Sequence, residues 1–249
     1  MTTISGALDE DLAPVAEVVF GERLGLAESY ARELATSGVV RGLIGPREVD
    51  RLWERHILNC AVVAELVEDG QTVVDIGSGA GLPGIPLALA RPGAQVRLVE
   101  PLLRRTVWLE EVLSSLGLPN VVIERARAEE SSFRGTADVV TSRAVAPLAR
   151  FLPMAAPMLT SPGVVLAMKG QSAAEELDGA RAVLTSHGVT HSALVSCGAD
   201  LLEVPTVVVR LEIPQQVAAR NAGSAVSKDK VEGKRMTSPK PGSRRTRAR

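Results

Sequence analysis

A run of β-branched residues that ends in glycines constrains this chain more than any other feature. Thr72-Val73-Val74-Asp75-Ile76 has the composition of a buried strand, Gly77-Ser78-Gly79-Ala80-Gly81 follows at once, and Leu82-Pro83-Gly84 opens a helix. Glycine carries no Cβ, so the backbone can bend sharply there and approach a ligand closely. A strand, a glycine turn and a helix in this order form the first unit of an α/β fold with a nucleotide-like cofactor lying across the turn.

The texture on either side of the turn agrees. Further short strands are predicted at Gln95–Val99, Val121–Ile123, Asp138–Thr141, Val164–Met168 and Thr206–Leu211, with helices at Gly84–Ala90, Leu103–Leu116, Leu148–Leu159 and Ala173–Ser186 between them. Such alternation predicts βαβ units and a mostly parallel sheet covered on both faces. Arg91-Pro92-Gly93, Gly117-Leu118-Pro119-Asn120, Ser161-Pro162-Gly163 and His187-Gly188 are the breakers expected where a helix gives way to a strand. Two strands near His191–Cys197 and Thr206–Glu212 have no helix between them and read as a closing antiparallel hairpin. Residues 1–70 read as a helical extension, with Val49, Leu52, Trp53 and Ile57 at helical spacing. The organisation expected is therefore 1–70 helical, 71–214 α/β domain, and 215–249 a tail.

That tail is where charge becomes informative. Residues 215–249 carry ten basic side chains against two acidic ones, which leaves eighteen basic against twenty-seven acidic in residues 1–214. The body is acidic and the tail basic. A polycationic segment without periodic apolar residues cannot bury enough surface to fold alone, so it is expected to be disordered, serving either a polyanion such as nucleic acid or solubility alone. No run of about 18 apolar residues is present and the first residues do not read as a signal peptide, so a cytoplasmic protein without membrane contact is expected. The sequence does not disclose the oligomeric state, and a monomer is favoured. Cys60 and Cys197 match no metal spacing and read as buried free thiols; His187 and His191, without cysteine partners, read as surface residues, so no metal is expected.

The glycines alone admit two cofactor classes. Gly77-x-Gly79-x-Gly81 suits S-adenosylmethionine methyltransferases, whereas Gly79-x-Gly81-x-x-Gly84 satisfies the dinucleotide pattern. Asp75, just ahead of the first glycine, favours the former: a carboxylate there can meet the cofactor's ammonium but repels a pyrophosphate. Glu100 closes the next strand, where a carboxylate accepts hydrogen bonds from ribose hydroxyls in either class. Arg127-Ala128-Glu129 follows the third strand, from which an adenine edge can be read. Singly, each acid could be an ordinary solvated strand end; together around a glycine turn they describe a cofactor crevice.

Four ordered segments then carry a family resemblance over about residues 40–213. Trp53-Glu54-Arg55-His56-Ile57-Leu58-Asn59, Asp75 through Leu87 with its Leu82-Pro83-Gly84-Ile85-Pro86 continuation, Ser142-Arg143-Ala144 and Met168-Lys169-Gly170 resemble the 16S ribosomal RNA guanine-N7 methyltransferases, also called the glucose-inhibited division protein B family. The resemblance implies a class I, Rossmann-like fold with a seven-stranded sheet, closing hairpin and N-terminal helical extension, S-adenosyl-L-methionine as cofactor, and guanine 527 of 16S rRNA, free or in the small subunit, as substrate. It implies cofactor contacts at Gly77, Leu82, Ala128, Glu129 and Arg143. It also implies Glu100 at the ribose, where other members often have Asp.

Guanine N7 has an in-plane lone pair and no proton, so methylation there needs no general base. Catalysis then rests on alignment with the methyl–sulfur bond, and Arg55, Arg143 and Lys169 are the positioning candidates, gripping guanine O6, phosphates or the cofactor carboxylate. His56 either meets a base or packs. With two Trp, one Tyr and three Phe in the chain, a stacking platform for bases is sparse. Rival readings are a small-molecule methyltransferase, a dehydrogenase, and a non-catalytic ribosome assembly factor.

Overall fold

The structure, a computed structural model, describes residues 6–143 and 146–214. The basic tail and Ala144 of the Ser142-Arg143-Ala144 segment lie outside the described residues. Seven strands form one sheet: β1 (Thr72–Ile76), β2 (Gln95–Val99), β3 (Val121–Glu124), β4 (Ala137–Arg143), β5 (Leu159–Lys169), β6 (His191–Cys197) and β7 (Thr206–Ile213). Their order is β3-β2-β1-β4-β5-β7-β6, with β1 to β5 parallel and β7 antiparallel to both β5 and β6. The expected closing hairpin is therefore β6–β7.

The helices are α1 (Ala13–Phe20), α2 (Leu24–Glu33), α3 (Asn59–Ala61), α4 (Gly84–Ala90), α5 (Leu103–Leu116), α6 (Leu148–Ala155), α7 (Ala173–Gly179) and α8 (Arg181–Ser186). Alternating strand residues feed two cores, as a period of two requires. Val73, Val96, Leu98, Val139, Leu166 and Val208 face α1, α2, α4 and α5. Val74, Val140, Val165, Ala167, Val209 and Leu211 face α6, α7 and α8. Phe20, Tyr30, Leu34, Trp53 and Ile57 of the first seventy residues belong to the former core, so the N-terminal segment is one layer of the sheet's packing.

Four local expectations fail for physical reasons. Ser161-Pro162-Gly163 does not end a helix before a strand; it lies inside β5, where the pairing with β4 shifts register between Ala137 and Val139, a bulge that accommodates a residue without an N–H. Pro153 lies within α6, and the chain tightens into a 3-10 turn at Ala156–Met158 before β5 begins at Leu159. The single helix predicted over 173–186 divides at Gly179-Ala180 into α7 and α8, at a residue with low helix propensity. The segment at Val49–Ile57 is also not regular α-helix: a 3-10 stretch at Pro46–Arg51 leads into a wide π-type turn at Trp53–Leu58, which still buries Leu52, Trp53 and Ile57.

Candidate methyl-transfer site

The strand order reverses direction at β1, whose neighbours are β2 on one side and β4 on the other; a crevice at the carboxyl ends of these strands is the expected ligand site of such a sheet. The glycine turn sits there. Gly77, Gly79 and Gly81 have φ of 71°, 59° and 86°, a left-handed backbone that side chains resist. The turn is braced from two sides: the Gly77 N–H donates to Val99 O at 2.8 Å, and the Tyr30 hydroxyl on α2 donates to Ala80 O at 2.6 Å. Tyr30 is fully buried, and no motif in the sequence marked it as part of the site.

Asp75 lies beneath the turn with no exposed surface. Its Oδ2 accepts the Gly84 N–H at 3.1 Å, and its Oδ1 has no hydrogen-bond partner among the described residues. Burial, with the Glu100 charge adding to it, pushes the carboxyl up to about 7. Such an oxygen lacks one donor or cation. At Gly84 an added Cβ would run into Leu98 Cδ2 and Asp75 Oδ2, so this glycine is required by close packing.

Glu100 is also buried. Its Oε1 accepts the Leu102 N–H at 2.9 Å, its Oε2 accepts the Gly79 N–H at 3.0 Å, and Arg105 Nη1 approaches Oε2 at 3.4 Å. Ala128 is buried in the 3-10 turn Ala128–Glu130 after β3, packed with Val74, Ile76 and Val99, and Glu129 beside it is exposed. Leu82 is partly buried at the start of the segment leading into α4.

On the other side of β1, Arg55, Arg143 and Lys169 line one groove of about 1420 Å³. The three residues named as positioning candidates thus meet although up to 114 positions separate them. Arg143, the last residue of β4, donates through Nη2 to Arg55 O at 3.1 Å and lies 2.8 Å from His56 Nδ1; its Nη1 points to Cys60 Sγ at 3.4 Å. Lys169 is more committed than the sequence suggested. Its Nζ donates to Ala146 O at 2.6 Å and pairs with Glu176 Oε2 at 2.9 Å, with the side chain 9% exposed. Glu176 Oε2 also accepts the Leu148 N–H at 2.8 Å, so this pair pins the start of α6. Although burial works against it, the Lys169 ammonium and these hydrogen bonds hold the Glu176 carboxyl below the ordinary carboxylate range.

The groove's lining also carries Asp9, Asp11, Asp50, Glu54 and Glu203, with Arg51 beside them. Cys60 and Cys197 are both buried and free. No helix among the described residues is long and apolar enough to cross a membrane.

Residues 23–204 match the family described as GidB, rRNA small subunit methyltransferase G. The chain belongs to that family. This methyltransferase is 58% identical over 207 residues to ribosomal RNA small subunit methyltransferase G of Rhodococcus jostii, covering 82% of this chain and 90% of the relative. It is 53% identical over 196 residues to the same-named protein of Paenarthrobacter aurescens, covering 79% and 91%. Among solved structures it resembles a putative S-adenosyl-L-methionine-dependent methyltransferase of Methanococcus maripaludis, with TM-score 0.54 at 15% identity, covering 69% of this chain and 93% of the other. It also resembles M. jannaschii TYW2 in complex with AdoMet, with TM-score 0.50 at 21% identity, covering 63% and 74%. The fold is thus the Rossmann-like fold of S-adenosylmethionine methyltransferases, and the dehydrogenase reading of the glycine pattern falls away.

Proposed function

We propose that this methyltransferase uses S-adenosyl-L-methionine to methylate N7 of guanine 527 in 16S rRNA, acting in the cytoplasm on the small subunit or its RNA. The observation that carries the cofactor side is the buried Asp75 oxygen without a partner beneath a left-handed glycine turn. That oxygen fits the ammonium of the cofactor's methionyl end. Gly77, Gly79, Gly81 and Leu82 leave room for the cofactor along the turn, Ala128 and Glu129 lie where an adenine edge is read, and the ribose hydroxyls take the place of Arg105 at Glu100. The cofactor supplies a sulfonium-bound methyl group as electrophile.

What remains for the protein is alignment. Arg143 ends β4, the strand paired with β1, and lines the groove, so its guanidinium serves the cofactor carboxylate or the target base's O6, with Arg55 beside it. A cation placed directly at N7 would oppose the positive charge the guanine gains, so these groups act around N7 and not on it. Lys169 acts through Glu176 and Ala146, pinning the start of α6. The acids on the groove's lining suit a guanine turned out of its stack, whose N1–H and amino group are donors.

The deciding assay is transfer of labelled methyl to unmethylated small subunits and to stripped RNA, followed by mapping of the modified nucleotide. Label at N7 of guanine 527 is expected; label elsewhere removes the substrate assignment, and no label on either substrate favours an assembly factor. The phosphate affinity that the acidic body lacks is assigned to the tail. Deleting residues 215–249 is expected to weaken RNA binding and lower the slope of log K against log salt by several units, since each phosphate contact contributes about 0.7–0.9. An unchanged slope would remove the tail from RNA recognition.

A further inference from the structure

His56 sits between two charged partners whose chemistry dictates where its proton lies. Arg143 is a guanidinium with donors only, and its Nη2 lies 2.8 Å from His56 Nδ1. Nδ1 must therefore present a lone pair. The ring's Nε2 lies 2.8 Å from Glu48 Oε2, a carboxylate that only accepts, so Nε2 carries the hydrogen. Both contacts are satisfied by one state of the ring, the neutral form protonated at Nε2. A second proton would set an N–H on Nδ1 against the guanidinium and break the contact with Arg143.

We propose that His56, oriented by Glu48, is a positioning residue for Arg143, and that the methyltransferase works only while His56 is neutral and protonated at Nε2. The proposal rests on the reading that Arg143 meets the cofactor or the target base. The remaining contacts of Arg143 are Arg55 O, also at Nη2, and the buried Cys60 thiol at Nη1; protonation of His56 decides whether Nη2 keeps the second of its two acceptors. The charged groups facing His56 are Glu48 from the 46–51 turn, Arg55 on its own turn and Arg143 on β4. Burial and the Arg143 charge hold the imidazole below its ordinary value of 6.5, against the pull of Glu48, which favours the neutral ring near neutral pH. The geometry also explains how residues 48, 56 and 143 act together although 95 positions separate the first from the last.

The test is the rate of methyl transfer to small subunits from pH 5 to 8.5, at saturating cofactor so that the titration of Asp75, which acts on affinity, does not enter. Wild type is expected to lose activity on the acid side with a midpoint below 6.5. His56→Leu removes the acceptor and is expected to lower the rate at pH 8 by about 10- to 100-fold, the scale of a misplaced catalytic group. His56→Asn places Oδ1 where Nδ1 was, and is expected to restore most of that loss and to abolish the acid limb. Glu48→Gln removes the charge that favours protonation, so the limb is expected to move to lower pH. An acid limb unchanged in His56→Asn, or a wild-type rate in His56→Leu, overturns the proposal. Arg143→Ala separates the two levels of the argument. An impaired Arg143→Ala beside unimpaired His56 variants overturns the positioning role alone; an Arg143→Ala variant with wild-type rate and cofactor affinity overturns the reading of Arg143 and the proposal with it. A nitrogen-15 spectrum of the wild-type ring at pH 7.5 needs no variant: the Nε2-protonated tautomer is expected, and the Nδ1-protonated tautomer overturns the proposal.

Discussion

Asp75→Asn is expected to raise the stability of the cofactor-free protein at pH 8 and, at the same time, to weaken its affinity for S-adenosylhomocysteine by a hundredfold or more. The two effects share a cause. The carboxyl titrates near 3.8 in an unfolded chain and about 7 when folded, so the folded state holds the proton more tightly. Its penalty is absent below 3.8, grows as pH rises through that value, and is complete above 7, where it reaches on the order of 4 kcal/mol. Asparagine removes that slope. It leaves the amide NH2 unpaired at about 1–3 kcal/mol, so the net gain at pH 8 is smaller, about 1–3 kcal/mol. With the charge gone, the cofactor's ammonium is buried without its counterion, a loss of about 3–5 kcal/mol. Thermal melts between pH 4 and 8 with titration calorimetry check both arms. A variant that melts lower than wild type at pH 8 and binds equally well would remove Asp75 from the cofactor site. In wild type the same titration is expected to make cofactor affinity fall below about pH 7, because the ammonium would then have to displace a proton.

Gly84→Ala is expected to cost about 2–3 kcal/mol of stability and most of the cofactor affinity, through a single methyl group. The new Cβ meets Leu98 and Asp75, both fully buried, so neither neighbour can swing aside. The Gly84 N–H that steadies Asp75 Oδ2 would be displaced with it. Gly179→Ala is the control: nothing lies within 4 Å of a Cβ there, and it should leave urea denaturation unchanged or shift it toward stability by about 0.5–1 kcal/mol. Equal behaviour of the two variants would show that Gly84 is not held by packing.

Asp75 and Gly84 were readable in the sequence because strand, turn and helix are adjacent along the chain, and their local pattern is their geometry. The sheet was readable for the same reason, strand by strand from β1 to β7. What escaped is either a local compromise or a long-range contact. Ser161-Pro162-Gly163 has the composition of a break, yet β4 pairs across it through a bulge, because neighbouring strands supply what the local preference denies. The grip of His56 on Arg143 spans 87 positions and that of Tyr30 on Ala80 spans 50, and no periodicity encodes such meetings. Lys169 was singled out as a cation for guanine O6, phosphates or the cofactor carboxylate; only the position of Glu176 shows that its charge is already answered.

Tyr30 carries a consequence for how this protein could be re-engineered. Its hydroxyl holds the glycine turn from a helix that precedes the sheet by about forty residues, and His56, itself held by Glu48, reaches the last residue of β4 from the same stretch of chain. A chimera that joins this sheet to another relative's leading segment would exchange the scaffold of both ligands, not an accessory. Modular grafting has to cut elsewhere, at loops such as the one between α8 and β6, which lies off the groove, if catalysis is to survive the transplant.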